Sequence, residues 1–398
     1  MDRSNGPPAK ARSAVRRRRL ILRLTVPLVG LALALAPGIA ASAAAPQTFQ
    51  VAVDGHTAEN QAAFLAYYPN AVSVHPGDTI EFGLLDSGEP HTVTFGTLVD
   101  SGFAALPTWT DQTTEPPDLA KLPGLLPDGP GDANQVAANP CFIASGDPPA
   151  DAAAACPSTD QPPFDGTQSF YNSGWLGPNE PFSVTLSSDI KPGTYTYFCL
   201  LHRAGMTGTI TVVDPATEVK SAGDVVAEGE AQIADIVAKL APAVEQANAA
   251  PPAVAGVFSP DVQAAFSTIF APATISIPVG GSVAWTIMGP HTVSFNAPQS
   301  ATDLRVEAPD GTIHVNVEAV TPAGGPGVPP PTGPPDPSAP PVVVDAGTWD
   351  GTGFLSSGVM VSFPPGPFIQ YMVTFSTAGT YKYQCLIHPD MQGTVKVG

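Results

Sequence analysis

An all-β chain built from two sandwich domains in tandem is the fold class the sequence predicts, and three observations predict it. The 398 residues include 47 prolines and 38 glycines with only 13% charged residues, a balance that favours strands and long loops over helical bundles. Short segments rich in β-branched and aromatic residues alternate in polarity and are punctuated by turn residues. Most of these segments occur twice, in the same order. The length suits two domains, and a hydrophobic content of 43% is enough to bury real cores.

The duplication is read directly. QAAF at 61–64 recurs at 263–266, and NAVSVHPGDTIEF (70–82) matches ATISIPVGGSVAW (273–285). EPHTVTF (89–95) matches GPHTVSF (289–295), and GTYTYFCLLHRAGMTGTITV (193–212) matches GTYKYQCLIHPDMQGTVKV (379–397). Ala71 to Val74 and Thr79 to Phe82 flank a Pro76-Gly77-Asp78 turn. Thr194 to Phe198, Thr209 to Val213, Thr380 to Gln384 and Thr394 to Val397 alternate likewise, the pattern of a β-sandwich. The expected first domain is 44–214 with an insertion at 97–168. The second is 251–398 with a Pro-rich insertion at about 300–345, whose stretch 321–341 should be extended or disordered. Between them, 215–250 contains no aromatic residue. Val226, Ile233, Ile236, Val237 and Leu240 recur at near-helical spacing. The segment predicts a helical linker broken near Pro242, with a flexible acidic tether as the alternative.

Residues 1–43 read as a signal peptide. Arg16 to Arg19 form a basic region, an apolar stretch runs to about Ala40, and Ala41-Ser42-Ala43 offers a cleavage signal. The arginines fit a twin-arginine pattern loosely, which leaves the export route open. A retained anchor is the alternative, against which stand the shortness of the stretch and its Pro27 and Pro37. The sequence thus predicts an exported protein: secreted, periplasmic or on the cell surface. The whole chain carries a net charge of −19, and loss of residues 1–43, which carry +7, leaves −26. Nucleic acid and anionic membrane surfaces are poor partners for such a surface, and a cationic partner suits it.

Two ligand constellations carry the chemistry. Cys199, His202 and Met206 form C-x2-H-x3-M, and Cys385, His388 and Met391 form C-x2-H-x2-M. A thiolate, an imidazole and a thioether on one loop are soft donors that suit copper moving between Cu(I) and Cu(II). His91 and His291, each in a PHTV string at the end of a strand-like run, supply a second imidazole from elsewhere in the fold. Zinc fits less well, because Met is a poor zinc ligand and each set has one Cys.

Both halves resemble the cupredoxins of the plastocyanin, amicyanin and pseudoazurin group. The P-H-T-V string, the G-T-Y-x-Y/F-x-C strand and the M-x-G turn all match. The second half has the amicyanin-like C-x-x-H-P-x-M loop. The first half is one residue shorter between His202 and Met206 than the plastocyanin pattern. The resemblance covers about half of the chain left after residue 43. It implies two Greek-key sandwiches, each holding one type 1 copper on His91, Cys199, His202 and Met206, or on His291, Cys385, His388 and Met391.

The function implied is electron transfer between redox partner proteins outside the cytoplasm. Copper storage, delivery or sensing would use the same ligands. A two-domain copper oxidase or nitrite reductase is disfavoured. Such enzymes need further histidines, commonly H-x-H pairs and a His before the blue-copper Cys, whereas Phe198 and Gln384 stand there and no H-x-H occurs. His75 reads as a turn or surface residue, since Pro278 replaces it in the repeat. His56 and His314 read as structural or exposed, and Met288, Met360 and Met372 as core or loop residues.

Cys141 and Cys156, in the first insertion, have no repeat counterparts. In an oxidising compartment they are expected to form a disulfide, stabilising the fold by roughly 3 kcal/mol in the loop-entropy account. Alkylation of the unreduced, metal-free protein followed by mass spectrometry should then label two cysteines. Labelling of four would contradict the bridge.

Overall fold

The computed structural model describes residues 45–398 apart from 86–88, 104–137, 145–157, 250–251, 263, 310, 330–335 and 337. The expected signal peptide and Cys156 therefore lie outside the described residues. Each half is a pair of stacked sheets. In the first half a four-stranded sheet runs Tyr67–Tyr68, Thr48–Val53, Thr79–Leu84, Phe182–Thr185. It faces a six-stranded sheet ordered Ala71–Val74, Arg203–Val212, Gly193–Cys199, Thr94–Phe95, Phe170–Asn172, Cys141–Ile143. Thr48–Val53 pairs in parallel with Thr79–Leu84, and Ala71–Val74 in parallel with Arg203–Val212. These parallel neighbours in the sheets are thus not consecutive in the chain.

The second half repeats this plan. Ala253–Val257 pairs in parallel with Ser282–Ile287, and Thr274–Ile277 in parallel with Gln392–Val397. Strand alternation explains why two sheets must stack. In Thr79–Leu84 every second residue is buried, and in Ile369–Phe375 the same period holds, so each strand has one face that must leave water. Phe49, Phe82, Phe95 and Tyr197 fill the first core. Trp285, Phe295, Tyr371 and Tyr383 fill the second. Aromatic edges meet faces in both, as for Phe82–Tyr197 at 5.0 Å and Trp285–Tyr383 at 5.1 Å. Cys199 and Met206 belong to the first core and Cys385 and Met391 to the second, so the ligand loops are anchored in packed interior.

The insertions are not wholly irregular. Cys141–Ile143 pairs with Phe170–Asn172 in the first half, and Pro322–Ala323 pairs with Leu355–Ser357 in the second. Each insertion adds an edge strand to the sheet that carries its copper-motif Cys. The stretch 321–341, expected to be extended or disordered, therefore starts inside a sheet. Among the described residues no helix is long and apolar enough to cross a membrane.

The linker holds one helix, Ala222–Ala249, which continues through Pro242 instead of breaking there. Ser221 caps its start, its hydroxyl accepting from the Asp224 amide at 3.2 Å. Proline removes one backbone donor, but packing on both sides of it outweighs that loss. Ile233 and Leu240 sit in a cluster with Phe64, Tyr68 and Ala265. Ala243, Val244 and Ala247 lie against Val254, Val257 and Ala271. Gly229 is needed where the helix crosses the chain, since an added Cβ would lie 2.7 Å from the Tyr68 carbonyl oxygen.

The halves are also joined as a sheet. Ala62–Phe64 leaves its own sandwich and pairs antiparallel with Ala265–Ala271 of the other, with Phe64 opposite Ala265 and Ala62 opposite Ser267. Residues of the two QAAF copies therefore pair with each other. The Leu65 amide donates to the Ala264 carbonyl at 2.8 Å and the Thr268 amide to the Gln61 carbonyl at 2.7 Å. Both halves lie within one compact unit, Ala43–Gly398.

Phe64 is fully buried in this junction. Phe64→Ala is expected to cost about 3–5 kcal/mol and to weaken both halves in one cooperative transition, measured by denaturant unfolding. A loss under about 0.5 kcal/mol, the range of surface substitutions, would show that the ring does not hold the junction.

Candidate metal centres

Each half brings a Cys and two His together at one end of its sandwich. His91, Cys199 and His202 form one group and His291, Cys385 and His388 the other, with the donor atoms of each group within 4.8 Å of one another. His91 lies three residues before the strand Thr94–Phe95 and His291 ends the strand Gly289–His291, each followed by a Thr that ties it to the Cys. The Thr92 amide donates to Cys199 Sγ at 3.4 Å, and its hydroxyl accepts from the Leu200 amide at 2.9 Å. Thr292 repeats both contacts, to Cys385 Sγ at 3.3 Å and from the Leu386 amide at 2.8 Å. The PHT string is therefore a positioning device, with the His turned inward and the Thr clamping the Cys loop.

All four imidazoles turn the same nitrogen inward. Cys199 Sγ lies 3.9 Å from His91 Nδ1 and 3.5 Å from His202 Nδ1. Cys385 Sγ lies 4.0 Å from His291 Nδ1 and 3.5 Å from His388 Nδ1. Every Nε2 faces an oxygen instead. His91 meets Asp54 at 3.0 Å, His291 meets the Met288 carbonyl at 3.0 Å, and His202 and His388 meet the two oxygens of Glu89 at 3.2 and 3.3 Å. A carbonyl or an ionised carboxylate can only accept, so Nε2 carries a proton and Nδ1 is the nitrogen a metal would take once any proton on it is displaced. Met206 and Met391 are buried, and the Cys385 amide donates to the Met391 carbonyl at 3.0 Å.

Charge is balanced inside the sites. Burial alone would push the two thiols up, but the His202 and His388 charges outweigh it and hold both well below the usual thiol range. Burial works against protonation of His202 and His388, yet Cys199 and Cys385, together with Glu89, raise both to about 10. Burial likewise opposes a charge on His91, and the Asp54 hydrogen bond lifts it to about 9. His291, desolvated and beside the His388 charge, is pushed down. A thiolate with cationic surroundings is a place where a metal cation can replace protons. One thiolate, two imidazoles and a nearby thioether fit copper, and a single thiolate with Met fits zinc poorly.

The centres differ outside the ligands. Val53 pairs with Leu84 and, in the other half, Ala255 pairs with Ile287, so the next residues, Asp54 and Gly256, are equivalent. Both adopt positive φ, 64° and 83°. Asp54 Oδ1 accepts from the Gly55, His56 and Phe64 amides, which leaves Oδ2 for His91. At Gly256 an added Cβ would lie 1.9 Å from the Met288 oxygen and 2.4 Å from His291 Nε2, so glycine admits the carbonyl that takes the carboxylate's place. Glu89 likewise stands where the repeat has Gly289. Sequence reasoning missed both acids. The available signal was an acid in one copy against glycine in the other, for Glu89 two residues before the ligand His91.

The remaining histidines stay apart from these groups. His56 is buried, with Nδ1 3.0 Å from the Ala62 carbonyl and Nε2 3.6 Å from Asp390 of the other half. His75 Nε2 lies 2.9 Å from the Thr217 carbonyl, and His314 Nε2 2.7 Å from the Thr312 hydroxyl. Cys199 and Cys385 are free thiols and Cys141 is disulfide-bonded.

No protein-family model matches the sequence. Among solved structures, the chain is similar to reduced auracyanin from Roseiflexus castenholzii, at 19% identity over 42% of this chain and 97% of that one, with a TM-score of 0.24. It is also similar to a copper-containing nitrite reductase from Thermus scotoductus, at 13% identity over 89% and 68% with a TM-score of 0.19. A blue copper oxidase from Nitrosomonas europaea matches at 10% identity over 88% and 86%, also with a TM-score of 0.19. All three are distant likenesses.

The two groups should each bind one copper. Direct metal analysis should find two coppers per chain, falling to one in Cys199→Ser and one in Cys385→Ser. Wild-type stoichiometry in either variant would remove that group as a metal site.

Proposed function

We propose that the protein is an exported electron carrier with two type 1 copper centres, held by His91, Cys199, His202 and Met206 and by His291, Cys385, His388 and Met391. The observation that carries this reading is the duplicated, buried Cys–His–His group, with every imidazole oriented by an oxygen acceptor. Bound copper would supply a one-electron couple between Cu(II) and Cu(I). The chain supplies the rest. Packed cores hold the donors so that little rearranges between oxidation states, the amides of Thr92 and Thr292 stabilise the thiolates, and burial excludes water.

Storage or delivery of copper uses the same donors, but His91, His291 and His388 are fully buried in packed interior, which opposes rapid release. For an oxidase or nitrite reductase an additional open metal centre is needed. Among the described residues, the groups of three or more metal-capable side chains are the two above. A redox partner protein is expected, and the acidic chain favours a cationic one.

An optical spectrum of the copper-loaded protein tests the reading. An intense thiolate-to-copper band that bleaches on reduction is expected, and its absence from a fully loaded sample would overturn blue-copper chemistry. Rapid loss of copper to a mild chelator would favour delivery, and turnover of nitrite or dioxygen would favour an enzyme.

The two centres should titrate at different potentials, the Cys199 centre lower, because the Asp54 carboxylate makes His91 more basic and supports Cu(II). Asp54→Asn should raise that potential alone and weaken copper binding there about 10- to 100-fold. Met206→Leu and Met391→Leu should each raise one potential, through loss of a sulfur donor to Cu(II). Spectroelectrochemical titration reads all three variants. A single shared potential in wild type would refute the inequivalence, and an unmoved potential in Met206→Leu would show that Met206 is not an axial donor.

A further inference from the structure

Glu89 is a buried carboxylate in contact with both halves. Its Oε1 accepts a hydrogen bond from His388 Nε2 at 3.3 Å, and its Oε2 lies 3.2 Å from His202 Nε2. His202 and His388 are the loop imidazoles of the two different centres, so one side chain links ligands that are 186 positions apart in sequence. The two ligand loops face each other across the junction that the QAAF strands build. From that strand Phe266 sets its ring edge-on to His291 at 5.6 Å and to His388 at 6.2 Å, closing the second centre from its own side.

Exposure is uneven between the centres. His388 and His291 show no accessible surface, and Cys385 and Met391 show 1% each. In the first centre His202 keeps 13% of its side chain accessible, while His91, Cys199 and Met206 show none. An outside partner therefore has one ligand edge to approach, and it belongs to the first centre.

We propose that Glu89 couples the two centres, holding His202 and His388 as one unit, and that this unit is the route by which an electron admitted at the His202 edge reaches the enclosed second centre. The inference rests on the blue-copper reading above. In the first step a one-electron donor outside the chain is oxidised and the first centre is reduced. In the second step the first centre is reoxidised as the second is reduced. No bond breaks, and Glu89 keeps its charge throughout. With Cu(II) bound, each centre would carry a net positive charge that offsets the carboxylate, and in either oxidation state the two Nε2 groups beside its oxygens would keep it from being a lone buried charge. The same charge lies beside both centres and supports Cu(II) in each, so Glu89 is a positioning residue with an electrostatic effect on two potentials at once. Asp54, by contrast, touches one centre only.

The test uses the full chain loaded with copper and hexaammineruthenium(II) as the one-electron reductant, with stopped-flow detection of the thiolate-to-copper band. Cys385→Ser isolates the first centre and Cys199→Ser the second, and the surviving band in each reports an intact site. Reduction should stay fast in Cys385→Ser. It should slow in Cys199→Ser, which removes the entry centre, and, for the second centre only, in Glu89→Gln, there by about 10- to 100-fold, the usual effect of losing an outer-shell partner. Glu89→Gln should also raise both potentials together, an effect that a purely structural residue would not produce. Lack of any visible band in the wild type would overturn the copper reading itself. With the bands present, equally fast reduction of the isolated second centre would overturn the enclosed route. Slow reduction in Cys199→Ser with wild-type rates and potentials in Glu89→Gln would remove Glu89 from it.

Discussion

A carboxylate cannot stay ionised inside protein without partners, and Glu89 has two, one from each half. Burial alone would push its carboxyl up, but the contacts with His202 and His388 outweigh that and hold it well below the usual carboxylate range. That condition can be met only if the halves dock with their ligand loops facing. The paired QAAF strands, the shared clusters around Phe64 and Phe266 and the helix Ala222–Ala249 all enforce that docking. Two sandwiches that each have a complete core are thereby made into one body with two centres facing each other.

Within each centre the same economy of contacts recurs. The inward nitrogen of every imidazole serves the metal, and the outward nitrogen is spent on an oxygen. That oxygen fixes ring rotation and tautomer before any metal arrives. Duplication preserved the inner half of the design, PHT and the Cys loop, while the outer half diverged. Asp54 places an anionic oxygen on a ligand of the first centre alone, where the equivalent Gly256 admits a backbone carbonyl at the second, while Glu89 is shared by both. The difference gives the pair a direction, because the more anionic surroundings favour the oxidised state of the first centre.

Much of this was legible in the sequence because it is local. Period-two alternation, the PHTV strings and the spacing of Cys, His and Met lie within short windows, and the repeat made each visible twice. The face-to-face docking was not legible, because strand pairing between QAAF copies and the Glu89 contacts join residues far apart in the chain, up to 299 positions for Glu89 and His388. Nothing in EPH distinguishes a surface acid from a buried one until the other half is in place. The helix through Pro242 failed as a local reading for the same reason: packing against Val254 and Ala271 overrides a propensity that is correct for an isolated helix.

The most direct test of the central claim is electron paramagnetic resonance of the fully oxidised, copper-loaded chain. Two facing Cu(II) centres should show a dipolar coupling that disappears in both Cys199→Ser and Cys385→Ser. A wild-type spectrum equal to the plain sum of the two single-centre spectra, with no coupling in a pulsed measurement, would contradict the account.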